Sequence, residues 1–138
     1  MAGFTVLVVD DFERLRDAIC QLLEDTQDLC VIGMASDGLE AVKQARQLQP
    51  DLVLLDVGLP KVNGIEAARE IRKASPASKL LFLSQESSTA VIAEAFRIGA
   101  HGYVLKSEML NELLDAVDAV LHNKEYVSRC LNYRQRSA

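Results

Sequence analysis

The sequence has few cysteines, prolines and glycines, and it has no long apolar run. Its three prolines and seven glycines, in 138 residues that are 49% hydrophobic, exclude a collagen-like chain and argue against disorder. No apolar stretch approaches the roughly 20 residues that a membrane span needs, and the N-terminus lacks the basic and apolar segments of a secretory signal. These absences predict one soluble domain, located in the cytoplasm and without a membrane partner.

The three cysteines are too widely spaced for a disulfide framework and, with only two histidines, too few for a zinc site. Cys20 and Cys30 stand among aliphatic residues and are predicted to be small core residues, whereas Cys130 is expected at the surface. We therefore expect no functional thiol.

The net charge of −5 is unevenly distributed along the chain. Residues 1–122 hold 11 basic and 19 acidic side chains, whereas residues 123–138 hold four basic and one acidic. An acidic body does not favour nucleic-acid binding by this domain. The basic segment, which includes Arg129, Arg134 and Arg136, is predicted to be a linker or C-terminal tail.

Short apolar runs alternate five times with longer amphipathic ones, which predicts five β-α units. The predicted strands are residues 4–9, 30–35, 51–56, 80–84 and 102–106. The predicted helices between and after them have apolar faces that include Leu39 in the second helix and Leu110 in the fifth. Right-handed crossovers between such units imply a parallel sheet with helices on both faces.

Polar side chains follow the predicted strands at the point where each strand ends. They are Asp10 and Asp11 after the first, Asp56 at the end of the third, Ser84 after the fourth and Lys106 after the fifth. Ligands of such sheets bind beyond the carboxyl ends of the strands. Clustered carboxylates are costly unless a cation joins them, and Mg²⁺ prefers carboxylates together with a phosphate. The sequence therefore predicts a magnesium site at this edge.

A carboxylate nucleophile beside a hydroxyl and an ammonium group is suited to phosphoryl transfer. Acyl transfer fits poorly, because the chain has no G-x-S-x-G turn and no histidine at a predicted strand end. Nucleotide binding is also disfavoured, since the first strand is followed by Asp10-Asp11-Phe12 rather than by glycines and no P-loop motif occurs.

Each of these side chains alone has an ordinary structural use. Asp10 or Asp11 can cap the first helix, Asp56 and Ser84 can stabilise turns, and Lys106 can be a solvated surface lysine. Capping explains one aspartate of the pair and leaves the other without a role. The placement of all five at the same edge of the sheet favours a site.

Four segments, each at a predicted strand end, resemble the receiver domain of two-component response regulators over residues 3–122. The segments are Val8–Asp11, Leu54–Pro60 with Gly64 closing the loop, Leu83–Ser84 and Gly102–Lys106. The resemblance implies an α/β fold of the flavodoxin-like (βα)5 type, a doubly wound parallel sheet with strand order 2-1-3-4-5.

By this resemblance Asp56 is the phosphoacceptor, and a sensor histidine kinase is the donor. Asp10 and Asp11 would hold Mg²⁺ together with Asp56 and the backbone carbonyl of Gly58, with Asp11 as the direct ligand and Asp10 partly through water. Gly58 also provides no side chain to shield an aspartyl phosphate.

The resemblance also assigns roles around the phosphoryl group. Lys106 would pair with its oxygens, the Ser84 hydroxyl would turn towards it, and Tyr103 would swing inward behind that hydroxyl. Three residues depart from the family pattern, and Gly58 without its side chain is one of them. Gln85 stands where a small residue is usual and is expected to modulate access to Asp56. Ser107 stands where many members have a proline after a cis bond, so either this loop differs or the chain sustains a strained bond.

The segment from Lys106 to Ser128 is similar to the receiver end and linker of LuxR-type transcription regulators. In those proteins a helix-turn-helix DNA-binding domain follows, but only 13 residues remain after Glu125. The chain is therefore expected to be a receiver fragment or a stand-alone receiver, with DNA bound only through a further domain. Activation is expected to shift the face built from the fourth helix, fifth strand and fifth helix, and so to form a homodimer or change partner binding.

Two other functions stay open at this point. In one, Gln85 blocks the pocket and the domain binds a partner independently of phosphorylation. In the other, Asp56 forms the intermediate of a phosphatase, which would normally require a second acid at the position of Gly58. We expect no enzyme beyond a switch that catalyses its own phosphorylation and dephosphorylation.

Overall fold

A computed structural model describes residues 3–26 and 28–131. Within them, parallel strands form one sheet in the order β2-β1-β3-β4-β5-β6. The strands are β1 (Phe4–Val9), β2 (Leu29–Ala35), β3 (Leu52–Leu55), β4 (Lys79–Ser84), β5 (Gly102–Leu105) and β6 (Tyr126–Val127). The helices are α1 (Glu13–Glu24), α2 (Gly38–Leu48), α3 (Gly64–Ala74), α4 (Thr89–Arg97) and α5 (Met109–Leu121). The predicted (βα)5 fold and the order 2-1-3-4-5 are confirmed, and the sheet gains a sixth strand.

The core consists of two layers, one on each face of the sheet. In β1, Val6 and Val8 pack under α1 and α5, while Leu7 and Val9 pack under α2, α3 and α4. Successive side chains of a strand point to opposite faces, so a strand covered on both faces must be apolar throughout. This is why β3 is an uninterrupted apolar run and occupies the centre of the sheet, between β1 and β4.

Three helix starts are fixed by side chains that accept a hydrogen bond from the backbone N–H three residues later. Asp37 does this for α2, Asn63 for α3 and Ser88 for α4. Such caps are each worth about 1 kcal/mol. Because α3 begins immediately after Asn63, this cap also determines where the loop after β3 ends.

Three expectations about apolar residues were wrong. Leu39 is 61% exposed and Leu110 is 82% exposed. The buried face of α2 consists of small residues, among them Ala41 and Ala45, and the buried positions of α5 begin only after Leu110. Cys30 is exposed because β2 is an edge strand with only its last residue fully buried, whereas Cys20 is half-buried and Cys130 is exposed.

The boundary expected at residue 122 falls just after α5, and the sheet continues beyond it. Tyr126 and Val127 form β6, which pairs in parallel with β5. Since β5 is therefore not an edge strand, Tyr103 is fully buried. The predicted tail residues Arg134 and Arg136 lie outside the described residues.

In the part of the chain that the structure describes, we find no helix with both the length and the apolar character to span a membrane.

Candidate functional site

The ends of β1 and β3 bring three carboxylates together. One oxygen each from Asp10, Asp11 and Asp56 lies within 4.8 Å of the other two. Asp10 and Asp56 are 1% and 8% exposed, whereas Asp11 is exposed. The three aspartates chosen from the sequence therefore form one cluster at the predicted edge of the sheet.

Backbone N–H groups orient the two buried carboxylates. The N–H of Phe12 donates to Asp10 Oδ1 at 2.9 Å, and the N–H of Gly58 donates to Asp56 Oδ1 at 3.2 Å. Each bond spans two residues, as in the turns that aspartate commonly stabilises. The second oxygen of each carboxylate, Oδ2, contacts Lys106.

Lys106 reaches the site from the end of β5. Its Nζ lies 3.0 Å from Asp10 Oδ2 and 3.0 Å from Asp56 Oδ2, and its side chain is 15% exposed. Burial by itself would lower the pKa of Lys106, but its hydrogen bonds with the two carboxylates outweigh burial and raise the pKa. One ammonium group does not balance three carboxylates, so the cluster retains an excess of negative charge.

This excess charge fits a divalent cation. Carboxylate oxygens are hard ligands of the kind Mg²⁺ prefers, and Mg²⁺ commonly uses one or two carboxylates together with phosphate and water. Asp11 is the exposed member of the cluster and reaches the cleft from solvent. Gly58, whose carbonyl was expected to complete the ligands, lines the same cleft.

Ser84 and Tyr103 meet at the loop after β4. The Ser84 side chain is buried, and its Oγ accepts a hydrogen bond from the N–H of Glu86 at 3.1 Å. The Tyr103 hydroxyl donates to the carbonyl of Glu86 at 2.8 Å. Burial, together with the charges of Glu86 and Asp56, raises the pKa of Tyr103 to about 12. Tyr103 thus already points inward, behind Ser84.

An open cleft of about 600 Å³ leads to Asp56. Phe12 and Gln85 are among its lining residues, and Gln85 is exposed. A Cβ added at Gly58 would lie 4.0 Å from Asp56 Oδ2, an ordinary contact distance, so a side chain there would fit beside the carboxylate. Positions 58 and 85 therefore both line the way to the Asp56 carboxylate.

The loop that begins with Lys106 and Ser107 resolves the question raised by the missing proline. No cis peptide bond occurs among the described residues, and Lys106–Glu108 form a single 3-10 turn that leads into α5. The loop therefore differs from the proline-containing pattern, and the bond between Lys106 and Ser107 is trans.

Two further residues lie beside the carboxylates: Arg16, which sequence reasoning missed, and Gly64, which it named only as closing the loop after β3. Arg16 on α1 donates from Nη1 to the backbone carbonyl of Asp10 at 3.0 Å. Gly64 begins α3 against the backbone of Asp56, where an added Cβ would lie 1.8 Å from the Asp56 carbonyl oxygen. The only signal for Arg16 is a charged residue beside the apolar positions of α1, which is too common to be informative.

Comparison with known proteins gives consistent matches. The family model for the response regulator receiver domain matches residues 6–118. The chain is 36% identical to the response regulator GacA of Pseudomonas viridiflava over 123 residues, which are 89% of this chain and 58% of that protein. It is 36% identical to the transcriptional regulatory protein LnrK of Bacillus subtilis over 115 residues, which are 83% of this chain and 52% of that protein.

A solved structure agrees with these matches. The crystal structure of a LuxR-family two-component response regulator from Aurantimonas sp. SI85-9A1 superposes with a TM-score of 0.88 at 34% identity. The superposition covers 93% of this chain and 91% of that one. By contrast, the chain spans little more than half the length of the curated relatives that it matches.

Proposed function

This chain belongs to the receiver domain family of two-component response regulators, and on that premise we propose that Asp56 accepts a phosphoryl group from a histidine kinase. One observation supports this assignment above the others. Of the two buried carboxylates that Lys106 bridges, Asp56 lines the open cleft. An incoming phosphoryl group can therefore reach Asp56 from the cleft, and the Lys106 ammonium already lies beside that carboxylate.

The transfer begins when an oxygen of the Asp56 carboxylate attacks the phosphorus of a phosphohistidine. A P–O bond forms, the P–N bond breaks, and its electron pair leaves with the imidazole of the kinase. The Lys106 ammonium then balances charge on the phosphoryl oxygens, and the Ser84 hydroxyl turns to donate to one of them. Hydrolysis by water later releases inorganic phosphate and restores the carboxylate.

Asp10, Asp11, Asp56 and the Gly58 carbonyl are the groups that would hold Mg²⁺. When bound, the ion supplies positive charge for the phosphoryl oxygens and offsets the repulsion among the carboxylates. Asp11 is exposed and suited to direct contact. One oxygen of Asp10 already accepts a hydrogen bond, and the other forms an ion pair with Lys106. This supports contact between Asp10 and the ion partly through water.

We further propose that phosphorylation controls dimerisation and a transcriptional output in the cytoplasm. LnrK is a transcriptional regulatory protein, and this chain spans about half of its length. A DNA-binding domain outside this chain would provide the output. The domain itself is then a switch that catalyses only its own phosphorylation and dephosphorylation.

The alternative of a phosphorylation-independent module requires Gln85 to close the cleft. Gln85 is exposed and lines the cleft without filling it. This position supports a modulating role and makes the phosphoacceptor function the better of the two proposals.

The proposal is tested by incubating the chain with acetyl phosphate and Mg²⁺ and measuring its intact mass. We expect the mass of one phosphoryl group to be added, and we expect Asp56→Asn to abolish the addition. Asp17→Asn, at an exposed position on α1, is the matched control and should be phosphorylated normally. Wild-type protein that gains no mass, or an Asp56→Asn variant that gains it fully, would refute the proposal.

A further inference from the structure

Residues 126–131, which we call the strap, run along the outer side of β5. Tyr126 and Val127 pair with Gly102 and Tyr103 as β6. The N–H of Ser128 then donates to the carbonyl of Tyr103 at 3.0 Å. The strap is therefore attached to the strand that contains Tyr103.

A second attachment involves the residue directly before Lys106. Ser128 is 1% exposed, and its Oγ accepts a hydrogen bond from the N–H of Leu105 at 2.9 Å. Lys106 in turn contacts Asp56 at 3.0 Å. A short covalent and hydrogen-bonded route thus connects the Asp56 carboxylate to the strap.

A third attachment is a buried carboxylate on α5. Glu112 is 3% exposed, and its Oε2 accepts a hydrogen bond from the N–H of Arg129 at 3.2 Å and lies 3.5 Å from Arg129 Nε. Burial raises the pKa of the Tyr126 hydroxyl, and the nearby Glu112 carboxylate raises it further. Among the described residues, Glu112 Oε1 and the Tyr126 hydroxyl are buried without a hydrogen-bond partner.

This arrangement is poorly stabilised in two respects. A buried carboxylate is costly unless it is well paired, and the Arg129 side chain that pairs with Glu112 is 73% exposed. The strand itself is only two residues long. Segments with short strands and exposed ion pairs belong to the part of a protein that opens most easily.

We propose that the strap is a phosphorylation-responsive element whose attachment to β5 and Glu112 weakens when Asp56 is phosphorylated. This inference rests on the proposed function. Phosphorylation gives Lys106 a phosphoryl oxygen to contact in place of Asp56 Oδ2. The accompanying shift of the Leu105–Lys106 backbone breaks the hydrogen bond to Ser128, so that fewer contacts hold the strap.

As a direct consequence, the phosphorylation state of Asp56 controls how firmly the segment after α5 is attached to the domain. Leu131, the last described residue, packs against the core layer formed with α2, α3 and α4, so its release would also free any segment that follows it. By linkage the coupling is reciprocal, and the detached state of the strap must favour phosphorylation by the same factor.

The first test measures amide hydrogen exchange of residues 126–131 in the chain with Mg²⁺ alone and with Mg²⁺ and beryllofluoride, a mimic of the aspartyl phosphate. We expect exchange of the Ser128 and Arg129 amides to accelerate about fivefold or more, the lower end of typical coupling between sites. Exchange within β1 should not change. Unchanged exchange of the strap would overturn the proposal.

The second test measures the reciprocal effect with Arg129→Ala, which removes an exposed side chain but keeps the backbone N–H that bonds to Glu112. We expect its beryllofluoride affinity to rise, by at most the factor seen for the exchange, with Arg129→Lys in between. Arg46→Ala, at an exposed position on α2, is the matched control and should not change it. If Arg129→Ala bound beryllofluoride with the same affinity as the wild type, the strap proposal would also be overturned.

Phosphorylation by acetyl phosphate distinguishes the two proposals. If Asp56 is phosphorylated but the strap does not respond, only the strap proposal fails. If the wild type is not phosphorylated and binds no beryllofluoride, both proposals fail.

Discussion

Replacing Lys106 by methionine tests how the acidic cluster is stabilised. Lys106→Met keeps a long apolar stem but removes the ammonium group that lies 3.0 Å from both Asp10 Oδ2 and Asp56 Oδ2. Because Asp10 is 1% and Asp56 8% exposed, the variant leaves two buried carboxylates beside each other with no cation between them.

The expected cost follows from this geometry. Breaking a buried ion pair by removing one partner typically costs about 3–5 kcal/mol, and hydrogen bonds to charged groups are worth about 1.5–3 kcal/mol each. Because the cleft above Asp56 is open to water, we expect the loss of stability to lie near the lower end of the range for a buried ion pair. We expect the free energy of unfolding to fall by about 3 kcal/mol at neutral pH in EDTA.

Urea unfolding measures this loss, with and without Mg²⁺. In the variant, Mg²⁺ should restore more stability than it adds to the wild type, because the ion replaces the missing positive charge. Combining Lys106→Met with Asp10→Asn should cost less than the sum of the single changes. A Lys106→Met variant as stable as the wild type in EDTA would show that Lys106 does not stabilise the two buried carboxylates.

Three further predictions concern single residues. Burial, aided by two nearby basic groups, lowers the pKa of His101 from 6.5 to about 4, and its Nδ1 accepts a backbone N–H at 3.1 Å. Stability should therefore be lost as the pH falls from 6.5 towards 4, and urea unfolding of His101→Gln should show a flatter pH profile. Gly58→Met should slow hydrolysis of the aspartyl phosphate by shielding it, as measured by the decay of the phosphorylated mass. Tyr103→Phe removes the hydrogen bond to the Glu86 carbonyl. It should lower the free energy of unfolding, as measured by urea unfolding, by about 1 kcal/mol.

The centre of the sheet and the acidic site were predictable from the sequence because their signals are local. β3 is apolar throughout and is followed directly by Asp56. Since the carboxyl ends of parallel strands share one edge, the positions of Asp10 and Lys106 follow once the strands are recognised. Their contact distances, and the inward position of Tyr103, required the structure.

The strap was not predictable because its signals are not local. A strand of two residues shows no hydrophobic alternation, so Tyr126 and Val127 look like any linker. The pairing of Glu112 with Arg129 joins residues 17 apart in the sequence, and a glutamate on a helix is usually a solvated surface residue. Leu110 shows that a local signal can also mislead. Its spacing fits the apolar face of α5, but it lies before the buried positions of that helix begin and is exposed.

Identifying the phosphorylated residue is the most direct test of the proposal that Asp56 is the phosphoacceptor. After phosphorylation with acetyl phosphate and Mg²⁺, reduction with borohydride converts an aspartyl phosphate to homoserine, and peptide mass spectrometry locates the change. We expect this change at Asp56 alone. A change at Asp10 or Asp11, or none at Asp56 in protein shown to be phosphorylated, would contradict that proposal.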